Sequence, residues 1–307
     1  MVRRSNQDIA GLLLDWYARC GRSHLPWRTT RDPYRVLVSE FMLQQTQVDR
    51  VLPKYELFLE RFPDVWSLAR ASTADVLRMW KGLGYNSRAV RLKQIAQAVC
   101  ERFGGLMPSD EETLRTLPGI GPYTVAAIRA FAFDCDDAAT DTNVRRVTHR
   151  VVYGLEFPPA VTASALDARA RELVPAGRGH DWNSATMDLG ATICTARAPK
   201  CLLCPLQPAC AAAPVDAASL EQARSGHSRR RSPQETIPFE QTTRYARGRI
   251  IDRLRELPPG QRISLLDLHE QVTRRIGRSS EELHRLVKAL ERDGLVSMDR
   301  RTVALQE

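Results

Sequence analysis

Four of the chain's seven cysteines fall in one short stretch: Cys194, Cys201, Cys204 and Cys210, spaced C-x6-C-x2-C-x5-C. Pro199, Pro205 and Pro208 lie among them, and a segment so interrupted has little tendency to form a regular helix or strand. Such a loop can instead wrap around a point where four thiolates converge. Structural zinc sites usually join two short-spaced pairs from separate places. Here one pair and two outliers share a single loop, which favours a 4Fe-4S cluster, with zinc as the alternative. Disulfides explain a local cluster in an intracellular chain less well. Cys20, Cys100 and Cys135 stand singly in helical-looking sequence and read as small buried core residues.

Up to about residue 193 the apolar residues recur at helical spacing, as Ile9, Leu12, Leu13 and Trp16 do. Strand-like alternation is scarce there, so the chain reads as mostly α. Turn signals at Leu25-Pro26, Arg61-Phe62-Pro63, Gly104-Gly105 and Pro108-Ser109-Asp110 divide the helices. After Cys210 the composition shifts to Ala, Ser, Pro and Gln with the run Arg229-Arg230-Arg231, and residues 212–244 read as a linker. Beyond it, ARGRIIDRLREL and SSEELHRLVKALERDGL are amphipathic helices flanking ISLLDLHEQVTRRI, and LVSMDRRTVALQE reads as two short strands about Asp299-Arg300-Arg301. Residues 245–307 are therefore expected to form a small winged-helix-like α+β domain, either touching DNA or packing on the main body.

With 307 residues there is room for two or three cored domains. No apolar run approaches the roughly 18 residues of a membrane span, and the start MVRRSNQDIA lacks the apolar core of a secretory signal. A cytoplasmic location (nucleoid-associated in a prokaryote), no membrane partner and a monomeric state are expected. A net charge of +9 favours polyanionic partners.

LRTLPGIGPYTVAAIRAFAF, Leu114 to Phe133, sets Pro118-Gly119-Ile120-Gly121 between two helical patterns. The glycines let the backbone turn sharply and approach a ligand closely. The helix that follows presents N–H groups near Gly121 to Thr124, a seat for a phosphate; a tight helix turn is the plainer alternative. In VSEFMLQQTQV, Val38 to Val48, Glu40 is a lone carboxylate among Val36, Leu37, Val38, Phe41, Met42 and Leu43. Burial there would let it keep its proton to higher pH and act as a general acid; the alternative is a glutamate on the exposed face of an amphipathic helix. In ATDTNVRRV, Asp141 suits the N-cap of a helix from Thr142 to Tyr153, and a helix N-terminus also keeps such a carboxylate negative.

Read together, these segments carry a resemblance. LPGIGPYT closely resembles the helix-hairpin-helix motif, which grips the DNA backbone without reading sequence. The cysteine spacing resembles the iron-sulfur loop of the endonuclease III and adenine glycosylase superfamily. WRTTRDPYRVLVSEFMLQQTQV, Trp27 to Val48, resembles the signature of MutY-type adenine DNA glycosylases, and the likeness runs almost continuously from about Leu13 to Cys210. It implies a two-lobed helix-hairpin-helix glycosylase fold over residues 1–211, with a six-helix lobe at about 25–137 and an iron-sulfur lobe from 1–24 and 138–211. The implied partner is double-stranded DNA containing an A mispair.

The same resemblance implies residue roles. Glu40 is the acid that protonates adenine, Asp141 faces the sugar as positive charge develops, and Tyr123 and Asn143 support them. Cys194, Cys201, Cys204 and Cys210 hold a 4Fe-4S cluster that keeps a DNA-facing loop, with Arg197 and Lys200, in place. Gly119, Gly121 and Thr124 meet the DNA backbone. The adenine must leave the stack; Gln45 is implied as the wedge at the lesion, Tyr85 as an intercalator near the opposite base, and Trp27 and Arg28 as pocket residues. Asp188 stands where the family usually has glutamate, and its shorter reach bears on whether it meets the base. Thr142 replaces a glycine of the family pattern, a variant that some members share.

Tyr123 occupies the place where bifunctional endonuclease III relatives carry a lysine. A phenol cannot form their Schiff base, so a monofunctional glycosylase leaving an abasic site is expected. The C-terminal segment is too short for the nudix-like domain by which many bacterial members recognise 8-oxoguanine, and it holds no Phe-Ser-His loop. Two other readings stay open: a mismatch glycosylase for thymine or uracil opposite G, against which Glu40 and QQTQV argue, and a non-catalytic iron-sulfur DNA-binding regulator, suggested by the winged-helix-like tail.

Overall fold

Helices dominate the computed structural model, which describes residues 5–228 and 237–307. The run Arg229-Arg230-Arg231 lies outside the described residues. The described chain divides into two units, one of residues 5–36, 108–116 and 120–228, the other of residues 37–107, 117–119 and 237–307. Among the described residues no helix is long and apolar enough to cross a membrane.

In the first unit, helix Asn6–Cys20 begins at a capping box, with Ser5 accepting the Asp8 N–H and the Asp8 carboxylate accepting the Ser5 N–H. Such a cap satisfies two of the backbone donors a helix start leaves over. Ile9, Leu13 and Trp16 fall on its inner face, where Val147, Val151, Leu173, Trp182, Leu189 and Leu206 join them in one core. Burying each such side chain is worth about 1.5–3 kcal/mol, so helices Thr142–Val152 and Gly179–Thr192 are held firmly. Their backbones approach closely at Gly190, where a Cβ would stand 2.6 Å from the Asn143 Cβ. Helix Ala217–Ser228, with Leu220 buried, lies inside the stretch read as a linker.

The second unit contains helices Val48–Arg61, Val65–Arg70, Thr73–Met79 and Ser87–Phe103 around a core in which Phe58 meets Phe62 and Trp80 edge-on, at 5.0 and 6.0 Å between centroids. It also contains the C-terminal α+β element. Helices Thr243–Arg255 and Ser280–Arg292 pack beside strands β1 (Ile263–Ser264), β2 (Val296–Asp299) and β3 (Thr302–Leu305). The sheet is antiparallel in the order β1-β3-β2, with Ile263 opposite Val303 and Val296 opposite Leu305. The expected hairpin is present, and β1 completes a three-stranded sheet; at two residues it is too short to show alternation in the sequence. The mostly helical fold with a small C-terminal α+β element is as expected.

Candidate active site and cysteine loop

Asp141 is the N-cap of helix Thr142–Val152, its carboxylate accepting the Val144 N–H at 2.7 Å and the Asn143 side-chain amide at 2.9 Å. Asn143 is held in turn by Arg146, which donates to the Asn143 side-chain oxygen at 2.7 Å, to the Gly190 carbonyl at 2.7 Å and to the Cys194 carbonyl at 2.8 Å. This arginine was not foreseen; within RRV it reads as one more basic helix residue.

Tyr123 begins the hairpin's second helix, Pro122–Phe133, and packs against Val36, Ala126, Ala127, Phe131 and Ala139. Gly119 takes the left-handed conformation (φ +75°), and a Cβ there would stand 2.9 Å from the Arg91 side chain, so glycine is required twice over. Gly121 is the N-cap and Thr124 lies in the first turn, where backbone N–H groups have no acceptor within the helix. Leu114, Leu117 and Ile120 are buried and fix the hairpin. A cavity of about 480 Å³ is lined by Tyr123 and Thr140 together with Arg115, Arg145 and Asp167. Neither Asp141 nor Asn143 lines it, so its size alone does not make it the reaction site.

Arg28 and Asp188 come together. Asp188 is only 1% exposed; its carboxylate accepts Arg28 Nη2 at 3.2 Å and three N–H groups of Arg22, including the backbone, at 2.8–3.0 Å. Arg28 also donates to Ser184 at 3.0 Å and lies 5.5 Å from the centre of the Phe131 ring. Asp188 thus orients the Arg28 guanidinium, with Trp27 buried next to it in the chain.

In the second unit, Glu40 is 7% exposed and sits in the last turns of helix Pro33–Leu43, with Val38, Ser39, Phe41 and Met42 all buried. The exposed-face alternative is thereby removed. Gln45, just beyond that helix, is exposed and left-handed (φ +55°), and Tyr85 is likewise left-handed (φ +44°) and 38% exposed. Both occupy backbone conformations that a non-glycine residue adopts only when its surroundings hold it. Arg88, another residue not foreseen, does so. Buried in helix Ser87–Phe103, it donates to the Phe41, Met42, Leu83 and Gly84 carbonyls at 2.7–3.2 Å and to Thr46 Oγ1 at 3.0 Å. One guanidinium ties the end of the Glu40 helix to the segment before Tyr85. Burial lowers its pKa to about 10, which leaves it charged at neutral pH.

Cys194, Cys201, Cys204 and Cys210 line one small cavity with Arg150 and Lys200. Among the described residues no group of three or more His, Cys, Asp or Glu is placed to hold a metal ion. Arg150, held bidentately by Glu156 at 2.6 and 2.7 Å, donates to the Cys194 sulfur at 3.6 Å, and the Val215 N–H donates to the Cys201 sulfur at 3.4 Å. Donors of this kind stabilise sulfur-bound negative charge. Burial pushes the Cys204 thiol up to about 12 and raises Cys194 and Cys210. Arg197 and Lys200 are exposed on the loop.

The chain matches the family model described as HhH-GPD superfamily base excision DNA repair protein over residues 38–174. An adenine DNA glycosylase of Mycolicibacterium smegmatis is 40% identical over 253 residues, covering 80% of this chain and 79% of that protein. Of solved structures, a thermostable thymine-DNA glycosylase aligns with a TM-score of 0.62 and 32% identity over 67% of this chain and 95% of its own. Endonuclease III, trapped as a covalent intermediate on DNA, aligns with a TM-score of 0.57 and 19% identity over 68% of this chain and 96% of its own, a likeness of fold.

Proposed function

The chain belongs to the adenine DNA glycosylases of the HhH-GPD superfamily, and from that premise we propose that it excises adenine mispaired with 8-oxoguanine or guanine, leaving an abasic site. The observation that carries this reading is the contrast between two carboxylates: Glu40, buried among apolar neighbours, and Asp141, hydrogen-bonded by Val144 and Asn143 at a helix N-terminus. Burial favours a protonated acid, whereas charge-assisted donors favour an ionised one. Adenine is a poor leaving group as an anion, and a positioned acid speeds its departure by about 100- to 10,000-fold. Glu40 donates that proton to a ring nitrogen of the extruded base. Asp141, as the carboxylate facing the deoxyribose, steadies the oxocarbenium-like sugar, the same division of labour found in glycoside hydrolysis.

Arg28, oriented by Asp188 and Ser184, lines the adenine pocket with Trp27; Gln45 fills the gap left by the base, and Tyr85 enters the stack beside the opposite base. The DNA backbone rests on Gly119, Gly121 and Thr124. Tyr123 supports the reaction without attacking the sugar, since its phenol forms no imine. Cys194, Cys201, Cys204 and Cys210 suit a 4Fe-4S cluster by donor set and by the N–H groups aimed at the sulfurs. Bound there, the cluster would hold the loop bearing Arg197 and Lys200, and bond cleavage does not pass through it. The enzyme acts as a monomer on double-stranded DNA. A thymine mismatch activity is the second reading, favoured by the 32% identity to a thymine-DNA glycosylase.

The test is incubation with duplexes containing A:8-oxoguanine, A:G, T:G, U:G and A:T, followed by alkali. Strand scission only after alkali, and only in the two A mispairs, is expected. Scission at T:G in place of A:G would establish the second reading.

A further inference from the structure

The segment before Tyr85 turns through two left-handed glycines, Gly82 (φ +92°) and Gly84 (φ +71°), and presents the Tyr85 ring outward in a left-handed conformation of its own. Contacts hold it there. Arg88 lies 5.6 Å from the ring centre and Arg244 lies 4.9 Å from it, with the Arg244 guanidinium also hydrogen-bonded to the Tyr85 hydroxyl. Arg244 is itself backed by the Phe239 ring at 5.0 Å, which meets Tyr245 edge-on at 5.5 Å. The neighbouring residue is gripped too. Arg255 donates to the Asn86 side-chain oxygen and to the Leu77 carbonyl, both at 2.8 Å. Arg244 and Arg255 stand at opposite ends of one helix, Thr243–Arg255, in the C-terminal element, and hold consecutive residues of the same loop.

Most guanidinium donors of Arg244 remain for an external acceptor: the group carries five N–H bonds, Tyr85 takes one of them, and Arg244 is exposed. An outward aromatic ring beside an exposed, flat cation suits an unstacked base and its adjoining phosphate.

We propose that helix Thr243–Arg255 is a positioning element for the Tyr85 loop and that Arg244 is the residue through which the C-terminal element sets discrimination of the base opposite the target adenine. This rests on the reading of Tyr85 as the contact beside that base. The Arg244–Tyr85 pair would supply that contact from the C-terminal element.

The full-length protein, as wild type, Arg244→Ala, Arg244→Lys and Tyr85→Ala, is titrated onto A:8-oxoguanine, A:G and A:T duplexes whose adenosine carries a 2′-fluorine that resists cleavage. Single-turnover adenine release is measured in parallel on cleavable duplexes at saturating protein. Arg244→Ala is expected to weaken binding to both mispairs roughly 3- to 30-fold, the range of a cation–π contact, with a smaller loss on A:T and little change in the saturated rate. Lysine keeps the charge but not the flat, forked group, and is expected not to restore discrimination. Wild-type affinity for Arg244→Ala alongside an impaired Tyr85→Ala would overturn the proposal and leave the Tyr85 reading standing. Unchanged binding in both variants would remove the Tyr85 reading as well. An equal loss on A:T and the mispairs would make Arg244 a non-specific backbone contact, which also overturns it.

Discussion

Asn143 donates its side-chain amide to the Asp141 carboxylate at 2.9 Å, and its side-chain oxygen accepts Arg146 at 2.7 Å. The arginine reaches on to the carbonyl of Cys194 at 2.8 Å. The carboxylate proposed to face the sugar is thus fixed by a residue anchored on the cysteine loop, within one packed unit.

Asn143→Ala is expected to lower the single-turnover rate of adenine release by about 10- to 150-fold, the range for losing a hydrogen bond to a charged group. Affinity for mispaired duplex should change little, because Asp141 keeps its Val144 donor. Single-turnover kinetics with a parallel binding titration check both parts.

Arg88→Ala is expected to destabilise the fold by at least about 3 kcal/mol, since it strands several buried carbonyls together. Arg88→Lys should recover only a fraction, because an ammonium cannot fork between the Phe41 and Leu83 carbonyls as a guanidinium does. The denaturant midpoint, compared at equal m-value, is the measurement.

His180 is buried, with its Nδ1 against Asp181 at 3.2 Å and its ring edge-on to Phe131. Burial, opposed in part by Asp181, holds its pKa below the ordinary 6.5. The unfolded chain therefore takes up a proton at about 6.5 that the folded chain still refuses, and stability declines as pH falls from there towards the folded value. His180→Gln should flatten the dependence of unfolding free energy on pH below 6.5 and leave it unchanged above. An identical slope in the variant would show that other groups cause the decline.

What the sequence disclosed depended on how local the cause was. The hairpin was legible because Gly119 and Gly121 lie between two apolar helical repeats, and the N-cap at Asp141 because its partner is three residues away. The C-terminal helices and hairpin declared themselves by period, whereas Ile263–Ser264 pairs through only two residues and shows none. Helix Ala217–Ser228 was hidden by an Ala- and Ser-rich composition in which Leu220 is a buried anchor. The burial of Arg88 is decided by carbonyls more than forty residues upstream, the engagement of Asp188 by Arg22 across 166 positions, and the Arg244–Tyr85 pair across 159. No periodicity or short motif carries such information, because it arises only when the packed helices bring the groups together.

The proposed division of labour has Glu40 supplying the proton and Asp141 the negative charge. It is tested most directly by single-turnover adenine release from an A:8-oxoguanine duplex with Glu40→Gln and Asp141→Asn, each beside wild type. Glutamine keeps the shape at position 40 without an acidic proton, and asparagine preserves the helix cap. Each rate is expected to fall by at least about 100-fold, with mispair affinity and melting temperature close to wild type. Release within a few-fold of wild type by either variant would contradict the account.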